Sequence, residues 1–289
     1  VDRTTYLGSH AASSLLGRNP FSGKAEVYQQ ALGILPEKKP SQSMQIGLDF
    51  EDKVLGWYER TTGLKIAEKQ KFIRHPKHEY IGGTADGIIS CDPPHGVDAK
   101  VANPFYLKEW GNEDNQIPEA YYLQAQHFML ISGYARWDIF LSCGTHLKNY
   151  QIESNTEIKQ LIEDTLVSAW QEITELRYLM ASDNEAFAER MLEIAKGDED
   201  ARANIIKAAW PHARDLTQPC PPEHLGIFER IFEQQQIADA AEGNLAQLKN
   251  DIKAAMKDVA RWRGPGGEIA WTGKGVRKLY IRPDAEHKA

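Results

Sequence analysis

The stretch "GVDAKV", residues 96 to 101, sets an aspartate and a lysine two residues apart inside an apolar run. Alternate side chains of a strand share a face, so Asp98 and Lys100 point one way while Val97, Ala99 and Val101 point the other. One face of this strand packs and the other carries chemistry. Two more extended segments precede it, "KQKFIRH" and "EYIGGTADGIIS", and the second is joined to it by the turn-rich "CDPPH" in a hairpin pattern. Before them, residues 47 to 62 have helical spacing through Leu48, Leu55 and Tyr58, with Glu51 on the same stripe and Gly63 as the stop. After them, Pro118 opens a second helix closed by Gly133, and "ARWDIFLS" follows as a strand. The order is helix, three strands, helix, strand.

Downstream, residues 156 to 180 form a strongly periodic helix, prolines break the pattern around 217 to 224, and a long helical segment runs to about Ala260. The tail then has the pattern of a hairpin turned at "TGKG". The expected architecture is a mixed α/β core over residues 1–180, with a mostly helical extension over residues 181–289 that ends in a β-hairpin. A chain of 289 residues, 42% hydrophobic and 26% charged, is long enough to close such a core. No apolar run approaches bilayer length, and the first ten residues lack a basic head followed by an apolar block, so a cytoplasmic protein without a membrane partner is expected. Cys91, Cys143 and Cys220 lie far apart and match neither a metal motif nor a disulfide framework. A net charge of −7 argues mildly against a protein that coats nucleic acid, but it leaves room for a local basic surface.

The candidate site gathers on the first half. A hairpin brings Asp86, in "TADG", close to Asp98. Glu51 projects from an apolar stripe, where a carboxylate is costly without a compensating cation or donors. Gln124 shares a helical stripe with Tyr121, Phe128 and Ile131. Carboxylates are the hard oxygen ligands that Mg²⁺ prefers, with a substrate phosphate completing its shell and Mn²⁺ as a possible substitute. On this reading Asp86, Asp98, Glu51 and the Ala99 carbonyl hold one or two ions, and Lys100 holds or activates the attacking water. Each residue also has a plainer reading. Asp98 and Lys100 suit a solvated strand face, Asp86–Gly87 suits a turn, Glu51 suits a salt bridge, and Gln124 suits a satisfied core amide. His75, His78 and His127 match no zinc spacing and are read as surface or core histidines. In the tail, Arg261, Arg263, Lys274 and Arg277 interleave with Trp262 and Trp271. That pattern suits a DNA-tracking surface or a solvated hairpin.

The set Glu51, Asp86 and Asp98-Ala99-Lys100, with "RTTYLGSHAASSLLGRNPF" before it and "IPEAYYLQAQHFM" after it, resembles the PD-(D/E)XK nuclease superfamily. More narrowly, it resembles the lambda-exonuclease and YqaJ-type viral recombinase family. The resemblance covers most of residues 3 to 142. It implies a restriction-endonuclease-like αβββαβ fold. It also implies a Mg²⁺-dependent exonuclease that degrades one strand of linear duplex DNA from the 5′ end, releasing mononucleotides and leaving a 3′ overhang. Asp86 and Asp98 match the family's metal-binding acids, Glu51 its helix glutamate, Lys100 its catalytic lysine, and Gln124 its motif glutamine. Arg3 and Ser9 match the positions that hold the 5′-phosphate. Two departures stand out: His10 follows the "G-S" where many members have an acid, and the acid of the D-x-K strand is Asp rather than Glu. The resemblance further implies double-stranded DNA ends as substrate, a homo-oligomeric ring, a single-strand annealing protein as partner, and a phage or prophage origin. The alternatives are an endonuclease on the same core and a DNA-end binding accessory protein without hydrolysis.

Overall fold

The computed structural model describes residues 2–35, 41–114, 116–211, 222–256, 261–264, 267–272 and 278–283. The chain divides into two compact units, Val1–Ala213 and Arg214–Ala289. The first opens with two short helices, α1 (Ala11–Leu15) and α2 (Lys24–Leu32), which sequence periodicity does not reveal. Next come α3 (Gln42–Thr62), β1 (Ile66–Arg74), β2 (Gly82–Ile89), β3 (His95–Val101), α4 (Glu119–Ser132), β4 (Arg136–Cys143) and β5 (His146–Glu153). Helices α5 (Thr156–Ser182), α6 (Asn184–Ile194) and α7 (Glu199–Ala209) complete the unit. The expected helix–three strands–helix–strand order is present, with β5 added at the far edge.

Local chemistry sets the helix ends. The Ser41 hydroxyl accepts from the Met44 N–H (3.2 Å), and Gly63, at φ 74°, closes α3 in the left-handed conformation that glycine adopts without penalty. Asn155, Asp183 and Asp198 cap α5, α6 and α7 in the same manner as Ser41. The expected stripe of α3 is corrected at one end. Leu55 and Tyr58 are buried, but Leu48 is 59% exposed because the first turns of the helix run beyond the sheet.

The five strands lie in the order β1-β2-β3-β4-β5, antiparallel except for the parallel pair β3–β4. The parallel step follows from the crossover through α4, since strands joined by a helix return in the same direction. Helix α3 covers one face, with Val54, Leu55 and Tyr58 packed on Ile89, Val97 and Phe140. The larger core, on the other face, takes in α4, α5 and β4. It also takes in Phe187, Ala188 and Met191 of α6 and Ile205 of α7, so the first compact unit runs past the boundary expected at residue 180. Gly96 permits one close approach within this core, because a Cβ there would fall 2.1 Å from the Trp137 ring.

The second unit holds α8 (Leu225–Met256) and a three-stranded antiparallel sheet, β6 (Arg261–Gly264), β7 (Gly267–Thr272) and β8 (Lys278–Pro283). Strands β7 and β8 are the expected terminal hairpin, and β6 extends it by one strand. Its "TGKG" turn and Cys220 lie outside the described residues. Among the described residues no helix is long and apolar enough to cross a membrane.

A buried histidine makes the core sensitive to acid. His127 is fully buried, with Nε2 3.0 Å from the Gly82 carbonyl and Nδ1 without a partner, and burial lowers its pKa from 6.5 to about 4. A histidine whose folded pKa is depressed supports the fold above its unfolded pKa, and that support is lost as pH falls from 6.5 towards about 4. Replacing His127 with Gln, whose amide can still donate to Gly82, is expected to remove roughly 3 kcal/mol of this pH-dependent loss at most. Urea unfolding of both proteins between pH 7 and pH 4 measures it. Parallel pH profiles of the two would show that the imidazole is protonated in the folded protein.

Candidate active site

On β3, Val97 and Ala99 face α3, and Asp98 and Lys100 face away. On β2 the alternation shifts beside Asp86: Ala85 packs in the core under α4 and a Cβ at Gly83 would meet Phe128, whereas Gly87 meets Val97 on the α3 side. The Gly87–Val97 pair ends the β2–β3 ladder, and Asp86, next to it, reaches the Asp98–Lys100 segment. Asp86–Gly87 is not a turn. Gly87 lies inside β2, where a Cβ would come within 2.9 Å of Val97 and 3.2 Å of Ile66, so glycine keeps these strands in contact.

The Asp86 carboxylate accepts from the Ala99 N–H (2.9 Å), which ties it across the hairpin. Asp98 is 1% exposed, and neither of its carboxylate oxygens accepts a hydrogen bond. The nearest compensating charge is the Lys100 ammonium, 3.7 Å from Oδ2. Burial, only partly offset by Lys100 and reinforced by Asp86, raises the Asp98 pKa to about 7. Burial also raises that of Asp86, against the pull of Lys100. Lys100 is pushed down by its own burial, but the surrounding carboxylates, Asp98 first, leave its pKa raised. Its ammonium also lies 5.2 Å from the centre of the Tyr121 ring, the aromatic one turn before Gln124 on α4.

Glu51 belongs to the same electrostatic group. Its pKa is raised by burial and then by Asp86, and Lys100 opposes the shift. The side chain that holds it is Gln70, which donates its amide to Glu51 Oε1. Gln70 falls between Lys69, paired with Gly87, and Lys71, paired with Ala85, and so stands across the ladder from Asp86. It is also the single non-glycine residue with positive φ (50°) among those described. That conformation costs an L-residue about 1 kcal/mol, and such residues concentrate at functional sites. Sequence reasoning missed Gln70, because a polar residue in an exposed strand carries no signal until its φ and its register are known.

The remaining candidates form a second cluster. Leu7 bridges Ile81 in parallel, which brings the N-terminal segment to the start of β2. There Gln124 donates to the Ser9 hydroxyl (3.3 Å), and the Arg3 guanidinium lies 3.2 Å from where a Gly8 Cβ would stand. His10 is half-buried in the same cluster, and its pKa is lowered by burial and by Arg3. In the second unit, Arg261 and Arg263 share one face of β6, with Arg263 opposite Glu268 of β7, while Lys274 and Arg277 lie outside the described residues. His75, His78 and Glu163 gather their ligand atoms within 4.8 Å, which the three site acids do not do. However, His75 Nδ1 accepts from the backbone N–H groups of Lys77 (3.1 Å) and His78 (3.0 Å), which leaves the proton on Nε2 facing Glu163. This trio fastens α5 to the β1–β2 turn, with Glu163 3.2 Å from His78 Nε2 and 3.7 Å from His75 Nε2, and does not offer a free imidazole lone pair at each histidine.

The donors at Asp86, Asp98 and Glu51 fit a hard divalent cation. They are all oxygen, they are anionic, and two buried oxygens of Asp98 lack the hydrogen bonds that a carboxylate normally requires. Without a cation, Asp98 costs the fold stability as pH rises. A raised folded pKa gives support at low pH that is lost between the unfolded value near 3.8 and about 7. In chelator at pH 8, Asp98→Asn is therefore expected to be more stable than the parent by about 1–3 kcal/mol. Divalent cation is expected to raise the melting temperature of the parent and not that of the variant. Differential scanning calorimetry with and without the ion distinguishes this from a variant that is simply destabilised.

The family match falls on the same part of the chain. Residues 1–135 match the YqaJ-like viral recombinase domain. The chain is 28% identical over 264 residues to the uncharacterised protein YqaJ of Bacillus subtilis (strain 168), covering 90% of this chain and 77% of that one. Among solved structures it is similar to an alkaline exonuclease from Laribacter hongkongensis, with TM-score 0.48, 19% identity, and 62% and 95% of the two chains covered. It is also similar to a phage-related exonuclease from Haemophilus somnus 129PT, with TM-score 0.49, 14% identity, and 61% and 96% covered. The segment from Arg3 to Gln124 that builds both clusters thus lies within the residues that match the YqaJ-like viral recombinase domain.

Proposed function

We propose that this chain hydrolyses phosphodiester bonds of linear duplex DNA, working from the 5′ end, releasing mononucleotides and leaving a 3′ single-stranded overhang for recombination by strand annealing. The observation that carries the nuclease reading is the buried Asp98 carboxylate, bare of hydrogen bonds, beside Asp86 and 3.7 Å from the Lys100 ammonium. A binding module has no use for clustered acids where a phosphate must approach, since they repel it unless a cation intervenes. When bound, Mg²⁺ or Mn²⁺ polarises the scissile phosphate and makes a water easier to deprotonate.

The chain's own groups would do the rest. Asp86 and Asp98 supply anionic oxygens at a spacing fixed by the hairpin, and Glu51 adds a third, steadied by the Gln70 amide. Lys100 holds the attacking water by hydrogen bonding and neutralises charge gathering on the phosphate. Cleavage from an end needs a group that holds the terminal phosphate, and Arg3 with Ser9, joined to α4 through Gln124, supplies a guanidinium and a hydroxyl. The 5′ polarity rests on the match of these residues to the family motif. A ring of copies around DNA and an annealing protein as partner belong to the same reading.

Linear duplex labelled at the 5′ or the 3′ end, incubated beside a covalently closed circle, tests the reading. Early release of 5′ label as mononucleotide is expected, dependent on divalent cation, with the circle intact. Asp98→Ala and Lys100→Ala are each expected to lower the rate by at least about 10³-fold. A nicked circle would establish an endonuclease instead. DNA ends bound but never cut would leave an accessory protein.

A further inference from the structure

Helix α8 runs for 32 residues, about 48 Å at 1.5 Å per residue. Its apolar side chains are exposed: Ile227 60%, Ile231 61%, Leu245 47% and Leu248 64%. From Ile227 to Ile252 the positions at alternating steps of four and three, the heptad seam of a coiled coil, are apolar except for Gln234, with Ala238 and Ala241 in the middle. The opposite side is polar, with Glu229, Gln236 and Asn250, and Gly243 also falls there. A helix draws most of its stability from burying such a stripe, and a continuous exposed stripe marks a partner site.

We propose that α8 pairs with α8 of a second copy of this chain in an antiparallel two-helix coiled coil centred between Ala238 and Ala241. The sequence is self-complementary in that register. Ile227 meets Ile252 of the second copy, Ile231 meets Leu248, Gln234 meets Leu245, and Ala238 meets Ala241. Small side chains thus fill the middle and large ones both ends, and the two-fold axis repeats each layer. The flanking charges fix the direction. Arg230 comes opposite Asp251 of the second copy, and the symmetry supplies that ion pair twice. Parallel pairing would set Arg230 beside Gln235 and Asn244 beside Lys249, with no opposite charges in contact. A lipid surface is a poor alternative, because Glu229, Glu233, Asp239, Glu242 and Asp251 outweigh Arg230, Lys249 and Lys253 on this helix. The inference does not depend on the reaction assigned to the first unit.

Sedimentation velocity of the full chain, in chelator and without DNA, tests it across a dilution series. The assembly formed by the parent is expected to have twice the mass of that formed by Ile231→Asp/Leu248→Asp. Both residues are more than half exposed in the single chain, so the variant is expected to keep the parent's thermal transition. Arg230→Asp is expected to weaken pairing roughly tenfold, and Arg230→Asp/Asp251→Arg to restore it. Equal masses for the parent and the Ile231→Asp/Leu248→Asp variant would overturn the pairing, including the case in which both are single chains and the stripe serves a different protein. Failure of the charge exchange to restore what Arg230→Asp removes would overturn the antiparallel register.

Discussion

Strand β3 is hydrogen-bonded along both edges, antiparallel to β2 and parallel to β4, and packed on both faces. From His95 to Asp98 its residues are buried, so each side chain there is committed to one face or the other, with little room to turn towards water. Val97 goes to α3 and Asp98 goes to the opposite side, and a one-residue slip would exchange them. The parallel register with β4, from Gly96 opposite Trp137 to Val101 opposite Ser142, rules out that slip, and the Trp137 ring against Gly96 locks it. The geometry of the site builds on this pairing, because Asp86, next to the Gly87–Val97 pair that ends the β2–β3 ladder, binds the Ala99 N–H.

Two buried aspartates on neighbouring strands show how differently a fold can treat one side chain. Asp138 of β4 is wholly buried, yet it accepts two bonds from Arg136 (2.7 and 2.8 Å), one from Asn149 (2.8 Å) and one from Tyr58 (3.0 Å). Burial pushes its pKa up, but the donors, including His95, overcome this and leave it at about 2. Asp98 has no such donors, and its pKa stands at about 7. The contrast assigns their work. Asp138 joins α3, β4 and β5 through satisfied bonds, and in doing so holds the helix that carries Glu51. Asp98 is left unsatisfied by the protein itself, which fits the cation-binding role proposed for it.

The parts of this arrangement that were legible in the sequence are those governed by local periodicity. Asp86, Asp98 and Lys100 could be placed on one face because a strand alternates and a hairpin aligns its two arms. Helix α5 was legible because its stripe is long. Strand β5 was not, since only Tyr150 and Ile152 of its eight residues are buried and its charged neighbours look like a loop. Helix α1, at five residues and without a side-chain cap, gives periodicity too little length to register. Glu163 beside His75 and His78 is a contact between β1–β2 and α5, which no spacing rule along the chain can supply. Gln124 was chosen by its place in the motif, but its partner Ser9, more than a hundred residues earlier, is a product of the tertiary fold.

Gln70 shows why such sites resist reading from sequence. Local preference argues against a left-handed glutamine inside a strand, and the β1–β2 register also shifts nearby, between Ile66 and Glu68. The backbone adopts the conformation because the surrounding structure holds it there, and the result is an amide aimed at Glu51, on a helix whose early turns are largely exposed. Unsatisfied Asp98, strained Gln70 and the raised pKa of Glu51 are three departures from what stability alone would select, and they lie together. Scattered over the molecule they would be unrelated imperfections. Gathered around Asp86, they fit the cation and phosphate site proposed for this chain.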